Sequence, residues 1–175
     1  MNAVVPLYRV LFVCAGNTCR SPLAAASLAR ALGDERRRVE IQSAGIYAVP
    51  GAPATSQAIE VGEANGLNLG DHRAQRLSLA LVERADLVIA LSPNELAVVR
   101  QMSSDGGARA HLLSDIGSDT PTGQGIPDPF GGSREAYEEC LRRVAGHVER
   151  VAAIVMREVK ARGEAGSASR DRGAA

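Results

Sequence analysis

"VCAGNTCRSP" (Val13–Pro22) is the stretch on which the reading of this chain turns. It follows the apolar run "YRVLFV" (Tyr8–Val13), whose β-branched and aromatic residues suit a buried strand. It leads into "LAAASLARAL", an Ala/Leu-rich helix with Pro22 in its first turn and Gly33 past its end. The stretch is therefore a strand-to-helix turn. Polar or flexible residues would suffice there, yet this turn carries Cys14, Gly16, Arg20 and Ser21, with five residues between Cys14 and Arg20. A loop curling into a helix N-terminus turns backbone N–H groups inward and makes an anion nest. Gly16 lets the backbone approach the anion, and a guanidinium such as Arg20 grips two phosphate oxygens at once. Cys14 falls at the floor of the nest, where electropositive surroundings lower a thiol from about 8.5 into the range of roughly 3.5–7.5. The expectation is a thiolate beneath phosphorus, an in-line nucleophile, with Ser21 donating a hydrogen bond to the sulfur.

Outside this turn the composition bounds the answer. A chain of 175 residues suits one domain with a real core, and with 3% aromatics that core is built from Leu, Val, Ile and Ala. Twenty basic side chains balance 20 acidic ones, which gives no electrostatic reason to expect nucleic acid or an anionic membrane as partner. No apolar stretch approaches the roughly 20 residues of a membrane span. "MNAVVPLYRVLFV" lacks the basic start, apolar centre and cleavage site of a secretory signal. Cys14, Cys19 and Cys140 are too few for a disulfide framework, so reduced thiols in a cytoplasmic, monomeric protein are expected.

Strands alternate with helices along the chain. After the first pair come a strand near Val39–Ser43, a helix capped by Thr55 or Ser56 and stopped at Gly66, and a short helix in "LSLALVERA". "DLVIAL" (Asp86–Leu91) is the clearest strand; Ser92 and Pro93 start the helix "NELAVVRQM", and "RAHLLS" (Arg109–Ser114) is a weaker strand. From Arg134 to about Arg162 a long helical pattern places Tyr137, Leu141, Val144, Val148, Val151 and Val155 on one face. These elements predict a single α/β domain over residues 1–162, with a parallel sheet covered by helices on both faces; residues 163–175 read as a disordered tail. Ligands of such sheets bind beyond the carboxyl ends of the strands, which is where Cys14 lies. The turn is not a nucleotide-type phosphate loop, since no Gly-Lys-Ser/Thr follows. Cys14 and Cys19 lack the second ligand pair that zinc needs, so neither a metal nor a cofactor is expected.

With these residues in view, "CAGNTCRSP" resembles the signature loop of the low-molecular-weight protein tyrosine phosphatases, and "DPFGGS" (Asp128–Ser133) resembles their acid loop. "SAG" (Ser43–Gly45) and "DHRAQRL" (Asp71–Leu77) also resemble family segments, so the likeness spans roughly Tyr8–Val155. It implies a four-stranded parallel sheet and a metal-free cysteinyl-phosphate mechanism. Carried onto this chain, it makes Cys14 the nucleophile, Arg20 the phosphate clamp and Asp128 the general acid and then base. Ala15, Gly16, Asn17, Thr18, Cys19 and Ser21 complete the phosphate loop; Asn17, Ser21, Ser43 and His72 match the hydrogen-bond network that supports it. The likeness also implies that Cys19 captures an oxidised Cys14 as a reversible disulfide. The chain departs from the family at Ala24–Ala26, where a glutamate is common. Cys140 reads as a core residue, and His111 and His147 match no motif.

Thr18 bears on the substrate, a phosphorylated protein. Tyrosine-directed members often carry a bulky aliphatic residue there, whereas the bacterial protein arginine phosphatases resemble this chain in "GNTCRSP" and "DPFGGS". Gly131 and Gly132 remove one aromatic wall, leaving Phe130, and Tyr47 is a candidate for the other. The reading favours phosphoarginine over phosphotyrosine. An arsenate reductase and a non-catalytic phosphopeptide-binding module are the remaining alternatives.

Overall fold

The computed structural model describes residues 7–171, with side chains through residue 164. Strand β1 (Tyr8–Cys14) leads through the loop into α1 (Arg20–Leu32), and a 3-10 turn (Gly33–Arg38) returns the chain to β2 (Val39–Gly45). Helices α2 (Ser56–Ala64) and α3 (Leu79–Arg84) precede β3 (Leu87–Ala90). Then come α4 (Pro93–Met102), α5 (Ser104–Ala108), β4 (Ala110–Leu112) and the long α6 (Arg134–Asp171). The sheet runs β2-β1-β3-β4 and every pairing is parallel. β1 is thus central, and the chain leaves it for opposite sides of the sheet at β2 and β3. That reversal opens a crevice beyond the carboxyl end of β1.

Alternation along β1 builds two cores. Tyr8, Val10, Phe12 and Cys14 face a cluster with Leu23 and Leu28 of α1 and Tyr137, Val144 and Val148 of α6. Leu11 and Val13 face Val82 of α3, Val88 of β3 and Val99 of α4. Phe12 and Val13 are both fully buried, which is why the strand reads as a continuous apolar run rather than an alternating one. Among the described residues no helix is long and apolar enough to cross a membrane.

Two elements differ from the sequence expectation. Helix α5, "SDGGA", carries paired glycines that argue against a helix. A Cβ on Gly106 would lie 2.4 Å from Cγ1 of Val82, so the glycine is there to let α5 close onto α3. Helix α6 does not end near Arg162 but continues to Asp171. Gly163, read as the start of a disordered tail, lies inside the helix, where a Cβ would come within 2.7 Å of the Arg38 guanidinium. Arg38 donates to the Val159 carbonyl at 2.9 Å, and Arg162 pairs with Asp86 at 2.7 Å. These contacts with the body of the domain support the helix where apolar periodicity has ended. Residues 172–175 of the expected tail lie outside the described residues.

Leu28 is fully buried between α1, α6 and the sheet. Leu28→Ala is expected to cost about 2–5 kcal/mol, the usual range for emptying a packed leucine site. Urea unfolding monitored by circular dichroism measures it; a loss below about 1 kcal/mol would contradict this packing.

Candidate active site

The loop from Cys14 to Arg20 is shaped around Asn17. Its φ of 56° makes it the one non-glycine with positive φ among the described residues, a region that asparagine tolerates better than most side chains. Asn17 is fully buried, and its neighbours take up its polar groups. Its backbone N–H donates to Cys14 Sγ at 3.2 Å, and its side-chain Nδ2 donates to Ser21 Oγ and Ser43 Oγ, both at 2.9 Å. Its Oδ1 accepts from the Gln75 N–H at 2.9 Å. Its carbonyl lies 2.6 Å from His72 Nε2; a carbonyl only accepts, so His72 donates from Nε2. Burial lowers the His72 pKa.

Three more loop carbonyls, those of Cys14, Ala15 and Thr18, also turn outward. Ile46 N–H donates to Cys14 O at 3.0 Å, Tyr47 N–H to Ala15 O at 2.9 Å and Thr55 N–H to Thr18 O at 3.0 Å. In a trans peptide the C=O and N–H point in opposite directions. The N–H groups of Ala15, Gly16, Thr18 and Cys19 therefore turn toward the concave side and form a nest. Helix α1 continues it, because Cys19 at its N-cap supplies no side-chain cap to the free N–H groups of the first turn. Gly45 lets this loop sit against β2: a Cβ there would lie 2.5 Å from Ala15 O and 2.8 Å from Asn17 N.

Cys14 Sγ lies 2.9 Å from Ser21 Oγ and is almost wholly removed from water. Burial pushes its thiol pKa up. The Ser21 hydroxyl and N–H, the Arg20 charge and the Asn17 N–H oppose this, but the net direction is upward. Burial and these polar groups therefore act on the thiol in opposite senses.

Arg20 is 4% exposed, and its guanidinium is held on one side. NH1 donates to Ile126 O at 3.3 Å, and NH2 donates to Glu95 Oε1 at 3.4 Å and to Asp128 Oδ2 at 2.6 Å. Its Nε is buried without a partner, a donor to which a bound anion can offer an oxygen. The Asp128 side chain is 42% exposed, and its Oδ1 accepts from Phe130 N–H at 3.1 Å. Glu95 was not picked out from the sequence, because contact with Arg20 brings together residues distant along the chain.

Above Cys14 opens a cleft of about 240 Å³, lined by the loop from Ala15 to Arg20 except Asn17, by Asp128, and by the exposed rings of Tyr47 and Phe130. Cys19 Sγ lies 3.4 Å from Tyr137 OH and 3.5 Å from Thr55 Oγ1. Cys140 is a core residue whose thiol is pushed up to about 12 by burial. Among the described residues no group of His, Cys, Asp and Glu side chains is arranged to hold a metal ion.

An anion nest with a cysteine in it at the carboxyl end of a parallel sheet, lined by a buried arginine and a half-exposed loop carboxylate, is the arrangement of the cysteine-dependent phosphatase class. The family model described as "Low molecular weight phosphotyrosine protein phosphatase" matches residues 9–161, and the chain belongs to that family of hydrolases. It is 33% identical over 163 residues to the low molecular weight protein-tyrosine-phosphatase of Streptomyces coelicolor, covering 89% of this chain and 98% of that one. It is also 33% identical over 148 residues to the protein-arginine-phosphatase of Bacillus subtilis, covering 81% and 97%. The structure of the YwlE arginine phosphatase from Geobacillus stearothermophilus superimposes with a TM-score of 0.77 at 32% identity, covering 86% of this chain and 94% of that one.

The Ser21 contact predicts a reactivity change. Only the thiolate alkylates, and Ser21 favours the thiolate. Ser21→Ala is expected to shift the pH midpoint of inactivation by iodoacetamide upward. At neutral pH the inactivation rate should fall roughly two- to twelvefold, the worth of a hydrogen bond of about 0.5–1.5 kcal/mol. An unchanged or lower midpoint would contradict the assignment.

Proposed function

We propose that this phosphatase hydrolyses phosphorylated side chains of proteins through Cys14, and that phosphoarginine is its preferred substrate. The observation that carries the mechanism is the Cys14 sulfur at the floor of the nest, within 3.2 Å of the Asn17 N–H and beside an arginine whose Nε is free. The phosphoryl group sits on the inward N–H groups and on Arg20. The Cys14 thiolate attacks phosphorus from below, and the S–P bond forms as the bond to the substrate nitrogen or oxygen breaks. Protonated Asp128 delivers its proton to the departing atom. Asp128 then takes a proton from water as that water attacks phosphorus, and the S–P bond breaks. Inorganic phosphate leaves, and Ser21 stabilises the released thiolate by hydrogen bonding.

The substrate preference rests on the walls of the cleft. Thr18 lines it beside the phosphate position and brings a hydroxyl where an aliphatic side chain could bring none. The acid loop offers one ring only. Gly131 has a φ of 75°, and a Cβ on Gly132 would meet Pro129 O at 3.0 Å and Ala136 Cβ at 3.2 Å. Neither position readily admits a second aromatic after Phe130, which suits a slender planar guanidinium. Phosphotyrosine is the second reading, since Tyr47 and Phe130, 66% and 71% exposed, also flank a phenol. Three buried free thiols fit a reducing compartment, and a cytoplasmic monomer is the setting we propose.

Thr18→Ile separates the two substrates. It removes the hydroxyl and adds apolar surface beside the phosphorus, so phosphoarginine turnover should fall while phosphotyrosine turnover holds or rises. The ratio of kcat/KM values should shift roughly ten- to two-hundredfold toward phosphotyrosine, the range for a side-chain-sized change in a pocket. An unchanged ratio, or a wild type that already prefers phosphotyrosine strongly, would leave the tyrosine reading standing.

A further inference from the structure

We infer that Glu95 is a positioning residue, the fixed anchor that holds Arg20 while Asp128 leaves it. Glu95 lies in the first turn of α4, and its side chain is 3% exposed. Ser92-Pro93-Asn94-Glu95 has the spacing of a capping box, in which the serine caps the glutamate N–H and the glutamate reaches back to the serine N–H. The helix does not use it that way. Ser92 makes no side-chain cap bond; its hydroxyl donates to Glu95 Oε2 instead, while Oε1 faces Arg20 NH2 at 3.4 Å. A buried carboxylate is costly unless paired, and the ionic partner of this one is the arginine of the phosphate site.

The guanidinium divides its contacts unequally. NH2 carries two N–H bonds and has two carboxylate partners, Glu95 and Asp128. Glu95 belongs to a packed helix turn, whereas the Asp128 side chain is 42% exposed. For Asp128 to protonate a leaving group it must release NH2, which frees that N–H for a phosphate oxygen beside Nε. The guanidinium then keeps only Glu95 and the Ile126 carbonyl, at 3.4 and 3.3 Å, to hold its Nε edge toward the nest. Glu95 also offsets part of the Arg20 charge. It weakens the hold on phosphate and so helps product release.

This inference rests on the proposed roles of Arg20 and Asp128. The test uses the full chain with nitrophenyl phosphate as substrate and inorganic phosphate as competitive inhibitor. Glu95→Gln keeps an acceptor for NH2 but removes the charge; its inhibition constant for phosphate should fall at least threefold, which a purely structural role would not produce. Glu95→Ala should lower kcat tenfold or more. Arg20→Ala leaves Glu95 buried and unpaired, so it should melt at a lower temperature, and adding Glu95→Ala should restore part of that loss. An unchanged phosphate constant in Glu95→Gln, or additive melting shifts in the double variant, would overturn the inference. The Gln variant decides the matter if Glu95→Ala does not fold. A wild type that hydrolyses no aryl phosphate would instead overturn the functional reading itself.

Discussion

Asn17 holds a backbone conformation that few side chains accept, and five neighbours keep it there: Cys14, Ser21, Ser43, His72 and Gln75. Those neighbours come from β1, α1, β2 and the loop after α2, so the loop takes its shape from the assembled domain rather than from its own sequence. With Asn17 in place, the outward carbonyls fix the direction of the inward N–H groups, and these set where an anion sits. Gly45 serves the same constraint from the other side, since any side chain there would push Ala15 and Asn17 out of position. Strain at one residue is thus offset by a ring of hydrogen bonds, and the result is a nest that needs no rearrangement to receive charge.

The electrostatics of the site follow from crowding opposite charges into a small volume. Arg20 is shared between two carboxylates of unequal freedom, and the buried Cys14 sulfur lines the same cleft. Burial resists the thiolate, while Ser21, Asn17 and Arg20 favour it. Small changes at any of these partners therefore alter the reactivity of Cys14.

Most of the fold was legible because local signals agreed with the tertiary outcome. β1 is apolar throughout as a central parallel strand must be, Thr55 and Ser78 cap α2 and α3 through their side chains, and the valine stripe of α6 faces the core. In the site, the proximity of Cys14, Arg20 and Ser21 was legible because all three lie in one strand-to-helix turn. What escaped was decided by distant partners. The paired glycines of α5 are tolerated because Val82 packs against Gly106, and α6 passes Gly163 alongside Arg38. Glu95, unmarked by any motif in the sequence, turns to Arg20 across the fold. The upward push on Cys14 comes from how deeply the assembled loop is buried, which no spacing of residues reports.

The central claim is that phosphorus bonds to the Cys14 sulfur within this nest. On the proposed mechanism Asp128→Ala would lack the base for the second step, so with nitrophenyl phosphate, whose leaving group needs little protonation, the covalent species should accumulate. Rapid quenching followed by peptide mass spectrometry reads it directly. A phosphoryl adduct on Cys14 that forms within the first turnover and decays slowly is the result expected. Turnover in that variant with no phosphorus on Cys14, or with phosphorus on another side chain, would contradict it.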